Sequence, residues 1–123
     1  MKLSLDSSDA TYVIKGYFDD GVQINNTIYS SSLIIGAHKL QTDWKPISAE
    51  SINESDLSRL TESDPEIVVL GVGHRLIFPD MQLIAPILAQ GLGVEVMDTR
   101  AACRTYNILI AEKRKVVAGL IIT

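Results

Sequence analysis

The stretch Glu66-Ile67-Val68-Val69-Leu70-Gly71-Val72-Gly73-His74-Arg75 opens the pattern that decides the fold. Its unbroken apolar core, Ile67-Val68-Val69-Leu70, is the mark of a strand buried on both faces, and such strands belong to parallel sheets. Residues 81–90 follow, with Leu83, Ile84, Ile87 and Leu88 on one helical face and Gly91 as a stop. Pro86 leaves two readings of that helix: it begins near Pro86, or it is kinked there. Residues 94–97 read as the next strand. Ala102, Cys103, Tyr106, Leu109 and Ile110 then repeat at 3.6-residue spacing, with Arg104, Asn107 and Ala111 on the opposite face. Thr99 is the expected cap of this helix. Lys113-Arg114-Lys115 sits at its end, where cations complement the dipole. Residues 116–122 close the chain as a strand. Together, residues 66–123 spell a βαβαβ unit.

Working outward, residues 12–18 read as a strand and Asp19-Asp20-Gly21 as a turn. Val22, Ile24, Asn26 and Ile28 share one face of a second strand, which makes an antiparallel hairpin with the first. Residues 31–35 suggest a third strand that Gly36 ends or bends. Residues 37–44 read as a further extended segment, broken by Lys45-Pro46. In the polar stretch 51–63, a short helix is expected at 56–60, capped by Ser55, with Leu57 and Leu60 inward. Asp64-Pro65 stops it. Residues 1–10 are polar and read as a loosely held start.

With 123 residues the chain suits one α/β domain, residues 1–123, with a real core. Hydrophobic residues at 46% and charged residues at 21% fit an ordered globular protein. Eleven basic against fifteen acidic residues argue against a sequence-independent nucleic-acid binder, whose affinity rests on neutralising phosphates. A single cysteine, Cys103, excludes an intramolecular disulfide and a Cys-rich zinc site. No apolar run approaches the ~20 residues of a membrane span. The start Met1-Lys2-Leu3-Ser4-Leu5-Asp6 has an acid where a signal peptide needs apolar residues, so a cytoplasmic location is expected.

Open parallel sheets place functional residues beyond the carboxyl ends of their strands. Two junctions lie there, residues 71–75 and 98–107. Gly71 and Gly73 would let a ligand approach backbone amides, or serve only as a tight strand exit. The dinucleotide fingerprint is incomplete, because its third glycine position is Leu76, and the Walker lysine is missing. His74 and Arg75 would supply an acid/base and an anion clamp, or lie as plain loop residues. Asp98 and Thr99 mark a helix N-terminus, which attracts anions but also needs capping for its own sake. Arg100 and Arg104, four residues apart, share a helix face as a cationic patch or as ordinary solvation. Cys103 is a small buried hydrophobe or, less simply, a nucleophile activated by the helix N-terminus. Asn107 has poor helix propensity for a merely exposed position and is expected to bind a backbone group or a ligand. Two histidines without cysteine partners make no metal site, no cofactor motif is complete, and no catalytic constellation emerges.

At these residues the chain resembles a known family. Residues 67–73, 93–99 and 101–109, with Glu112 and Arg114, resemble the Mth-type domain of unknown function. Residues 16–35 and 37–44 fit that family's opening strands. The resemblance implies a single three-layer α/β domain in which a mixed sheet packs with antiparallel N-terminal strands. It implies no established enzymatic activity for the bacterial members. The family's eukaryotic relatives, among them an assembly factor of mitochondrial NADH dehydrogenase and an adipogenesis-associated protein, act through protein partners. Gly71, Gly73, Thr99, Ala102, Tyr106 and Asn107 match family positions; His74 is not carried over from the family pattern.

Two functional readings result. The first is a non-enzymatic binding or assembly module that engages a protein partner through residues 71–75 and 98–107. The alternative is a binder of, or enzyme acting on, a small anionic ligand at the same junctions. A weak homodimer through Ile and Val side chains of the N-terminal hairpin is a third expectation, against a monomer.

Overall fold

The computed structural model describes residues 9–123, so the reading of a loosely held start falls, but for Asp9 and Ala10, outside the described residues. Eight strands and three α-helices follow in chain order: β1 Ile14–Phe18, β2 Gly21–Ile24, β3 Thr27–Tyr29, β4 Leu33–Gly36, β5 Lys39–Gln41, α1 Glu54–Ser58, β6 Ile67–Gly71, α2 Met81–Ala89, β7 Gly93–Met97, α3 Thr99–Ala111 and β8 Val116–Leu120. The expected βαβαβ unit is β6–α2–β7–α3–β8.

The central sheet has the order β5-β4-β8-β6-β7. β6 pairs in parallel with both β7 and β8, whereas β4 runs antiparallel to β5 and to β8. The sheet is therefore mixed. β1, β2 and β3 form a separate antiparallel meander. Alternate residues of β8 divide the core in two. Val116, Ala118 and Leu120 face α3 and the meander, with Val22, Leu33, Val69 and Tyr106. Val117 and Ile121 face the other side, with Trp44, Leu57, Leu60, Ile84 and Ile87. Helices and the meander thus cover both faces of one sheet, and the domain has three layers.

Three local expectations are corrected. Residues 22–28 are two strands, because Asn25 takes a left-handed φ of 52° and breaks the run. The Asn25 side chain accepts from the Val13 amide at 3.2 Å and donates to the Thr11 carbonyl at 2.9 Å, which pins the turn. The cap of α1 is Asn53 and not Ser55: Asn53 Oδ1 accepts from the Asp56 amide, and Asp56 returns the bond to the Asn53 amide. For α2 the structure chooses between the two readings: the helix starts at Met81 with Asp80 as its cap, and Pro86 lies inside it. Only Ile84 and Ile87 of α2 are buried; Leu88 is 47% exposed, since the helix rests on a narrower stripe than its apolar spacing suggests. Val22 and Ile24 of the hairpin are buried, leaving Ile28 and Phe18 as its exposed apolar groups.

Candidate functional site

The parallel strands end together at Gly71, Met97 and Leu120. β6 connects to β7 on one side and, through β7 and α3, to β8 on the other. The crevice between β6 and β8 is thus a topological switch point, where open α/β sheets ordinarily take ligands. Here it is filled from within. Thr99 has no exposed surface. Its Oγ1 accepts from the Gly73 amide at 2.8 Å, and its hydroxyl donates to the Ile121 carbonyl at 2.8 Å. The Thr99 amide donates to the Gly73 carbonyl at 2.8 Å, and the Ile121 amide to the Gly71 carbonyl at 2.8 Å. Val72 gives its amide to Met97 at 2.9 Å. The backbone amides that an anion would need at this turn are engaged by the protein itself.

This placement corrects the capping role given to Thr99. The cap of α3 is Asp98, whose Oδ1 accepts from the Ala101 amide at 2.9 Å. Thr99 is the wedge behind it. Gly71 is required sterically: a Cβ there would lie 2.9 Å from Ala102 Cβ and 3.0 Å from Thr99 Cα, so its absence lets α3 seat on β6. Gly73 sits at φ +105°, a conformation that glycine adopts freely.

Asn107 binds a backbone group, one of the two partners expected for it. It does not belong to a free helix face with Arg104: its carboxamide accepts from the Ile14 amide at 3.1 Å and donates to the Ile14 carbonyl at 2.6 Å. These bonds meet β1 at its bulge. Tyr106 donates its hydroxyl to the Tyr12 carbonyl at 2.9 Å. The two side chains clamp the meander onto α3. Burial pushes the Cys103 thiol up to about 12, against the weaker pull of Arg104 and Arg100, which favours the protonated form and suits the buried-hydrophobe reading.

The exposed groups at this end do converge. The Tyr17 hydroxyl lies 3.2 Å from His74 Nδ1. The Arg100 guanidinium stacks 4.9 Å from the Tyr17 ring centroid, a cation–π contact that ties α3 to β1. Burial raises the Tyr17 hydroxyl above its ordinary value, with Arg100 acting in the opposite sense. Arg75 and Arg104 are exposed and enter no ion pair among the described residues. No group of three metal-ligating side chains occurs among the described residues.

The most distinctive feature of this end escaped the sequence reading. Leu76, Ile77 and Phe78 on the segment that joins β6 to α2, and Met81 at the first position of α2, are exposed by 50%, 37%, 62% and 55%. The available signal was an apolar run with neither helical nor strand period, between Gly73 and the Pro79-Asp80 breaker. A second feature lies at the opposite end of the sheet. There a cleft of about 420 Å³ is lined by Ala37, Lys39, Pro65, Ile110, Lys113 and Val116 among others.

Comparison with known proteins bears on these sites. A family model described as "Protein of unknown function (DUF498/DUF598)" matches residues 14–121. A "13 kDa major membrane protein" of Francisella tularensis is 31% identical over 117 residues, covering 94% of this chain and 95% of that protein. A protein of Danio rerio named "NADH dehydrogenase [ubiquinone] 1 alpha subcomplex assembly factor 3" is 34% identical over 115 residues, covering 93% of this chain but 66% of its own length. A crystal structure of a Bordetella parapertussis protein superposes with a TM-score of 0.86 at 33% identity, covering 93% of this chain and 98% of that one. A solution structure from Bordetella pertussis, described as a Mth938-like domain, gives a TM-score of 0.79 at 31% identity over 98% of this chain and 91% of that one. No helix among the described residues is long and apolar enough to cross a membrane.

Proposed function

Because the chain belongs to the DUF498/DUF598 family of proteins of unknown function, with relatives named as assembly factors, we propose that it is a non-enzymatic binding module that engages a protein partner. The docking surface in this reading is the segment 74–81 together with the start of α3. One observation carries it: Leu76, Ile77 and Phe78 on the β6–α2 connection and Met81 at the start of α2 are exposed together. Contiguous exposed apolar groups are costly to solubility and mark interaction sites. Arg75, Arg100 and Arg104 lie at the same end of the sheet, and aromatic and Arg anchors dominate protein interfaces. The partner expected for such a surface offers an apolar recess with an acidic rim.

The anionic-ligand alternative at the 71–75 and 98–107 junctions has less support. The amides of Val72, Gly73 and Thr99 are already paired within the protein, and the crevice holds Thr99.

The test is affinity purification from the native cell with tagged wild type, Phe78→Asp and Arg104→Glu. Both substitutions lie on exposed side chains, so the thermal midpoint should stay unchanged. The expected result is a partner recovered by wild type and lost in both folded variants. Recovery of the same proteins by Phe78→Asp and Arg104→Glu as by wild type would refute the assignment.

A further inference from the structure

We propose that the cleft at the amino-terminal end of β8 is a second site, for a small amphipathic anion with one carboxylate or phosphate head and a short apolar body. Its floor is apolar, formed by Ala37, Pro65, Ile110 and Val116, and its volume of about 420 Å³ lies within the range of small-molecule pockets. Its rim is cationic. Lys39, Lys113 and Lys115 line it, and none of the three enters an ion pair among the described residues. Arg114 lines it too but is held by Glu66 at 2.8 Å, a pair that leaves no net charge. His38 is engaged by the Thr11 hydroxyl at 3.0 Å. Asp9 is the one acid in the lining among the described residues, so there three lysines face one carboxylate in a chain whose net charge is −4. A concave surface of one sign focuses its field on an entering counter-ion.

The backbone at the rim supplies an independent observation. α3 ends in a Schellman turn, in which the Lys113 amide donates to Ile110 at 2.9 Å and the Arg114 amide to Leu109 at 2.9 Å. The left-handed position of that turn is usually glycine, yet here it is Lys113 at φ 62°. A long side chain thus occupies a position where it is conformationally disfavoured, and it lines the cleft together with Lys115. Apolar floor and cationic rim together ask for both halves of an amphipathic anion: inorganic phosphate would leave the floor empty, and a neutral apolar molecule would leave the lysines without a partner.

Octanoate is a suitable probe, followed by amide shifts in a two-dimensional nitrogen–proton spectrum of the full chain. Saturable shifts are expected at 37–39 and 110–117. Acetate and octylammonium at the same concentration should leave those amides unmoved, the first for want of an apolar body and the second for its charge. Lys113→Gly is the informative variant, because glycine suits the turn and the fold should be retained or strengthened. It should weaken octanoate binding by about two- to fivefold, and a double variant with Lys39→Glu by tenfold or more, as expected for exposed charge pairs. The absence of saturable shifts up to about 10 mM would overturn the proposal, since weaker binding falls outside useful affinity. Equal shifts with acetate, or unchanged affinity in Lys113→Gly, would do so as well. None of these outcomes bears on the partner surface at the other end of the sheet.

Discussion

Replacing Thr99 with valine tests whether the switch point is closed by design of the fold. The two side chains have nearly the same volume, so packing against β6 and β8 is kept. What is lost is a pair of 2.8 Å hydrogen bonds, one from the Gly73 amide and one to the Ile121 carbonyl. Gly73 and Ile121 are buried and Thr99 has no exposed surface, so water does not replace the hydroxyl. A buried polar group left unpaired costs about 1–3 kcal/mol. The methyl group gained in exchange returns about 0.8 kcal/mol of burial. With two such groups unpaired, the net loss expected is about 1–5 kcal/mol, near 4–20 °C in thermal midpoint for a domain of this size. Urea unfolding followed by the fluorescence of Trp44, which is buried against Gly119 and Leu60, would measure it. The slope with urea should be unchanged, since the same surface is exposed on unfolding. Thr99→Ser retains the hydroxyl and should lose only about 1 kcal/mol, the cost of a buried methyl. If valine and serine were equal, or valine fell within about 0.5 kcal/mol of wild type, the wedge argument would fail. The crevice between β6 and β8 would then have to be reconsidered as a ligand site.

Three further outcomes are expected. Gly71→Ala places a Cβ 2.9 Å from Ala102 Cβ and should cost about 1–3 kcal/mol by overpacking; combining it with Ala102→Gly should recover part of the loss, a coupling that a double-mutant cycle reads directly. Asn107→Ala removes both bonds to Ile14 and should cost about 1–3 kcal/mol, with faster hydrogen exchange at Ile14 than at the β6 amides; equal exchange at both would count against a clamp on β1. The Cys103 thiol is raised by burial from 9.0 to about 12, so the folded state holds its proton where the unfolded chain has lost it. Stability from this group is complete below pH ~9 and declines as pH rises through ~12, by up to about 4 kcal/mol, and Cys103→Ala should flatten that decline. Tyr106, also raised by burial, leaves a residual slope in the variant.

The βαβαβ half was legible because its signals are local: an apolar run for β6, a 3.6-residue stripe for α3 and an apolar closing segment for β8. The features that failed share a different origin. Asn25 lies between two segments in the same alternating phase, so nothing in the spacing separates β2 from β3; only its left-handed backbone does. Asp98 and Thr99 are both good caps by residue type. What distinguishes them is that the Thr99 hydroxyl reaches Gly73 and Ile121, residues 26 and 22 positions away. Asn107 was read as poorly suited to an exposed helix face, which is correct chemistry, but its partner Ile14 is 93 positions distant. The cationic cleft likewise joins Lys39 to Lys113 and Lys115 across the sheet, whereas the sequence pattern showed only a basic helix end. Charge and propensity identify residues that need partners; the topology decides who those partners are.

The closed switch point bears on how the exposed loop would bind. A long connection that is free at both ends loses conformational entropy when a partner orders it, and that loss subtracts from affinity. Residues 74–79 are held at both ends. On one side the Val72 amide is bonded to Met97, and Gly73 is bonded to Thr99 through both its amide and its carbonyl. On the other, the Asp80 side chain caps α2 through the Gln82 amide at 2.9 Å, and Pro79 is buried. His74 is further steered by the Tyr17 hydroxyl, itself on a strand that Asn107 clamps to α3. The hydrogen bonds that shut the crevice to a small ligand are thus the same ones that fix the base of the apolar segment. A surface built this way gives up the crevice and gains a loop fixed at its base, which agrees with the proposed protein partner at this end better than with a small ligand. Thr99→Val separates the two consequences: loosening the base should weaken partner binding even though Thr99 itself lies beneath the surface. Unchanged partner affinity in a folded Thr99→Val protein would show that the loop needs no such support.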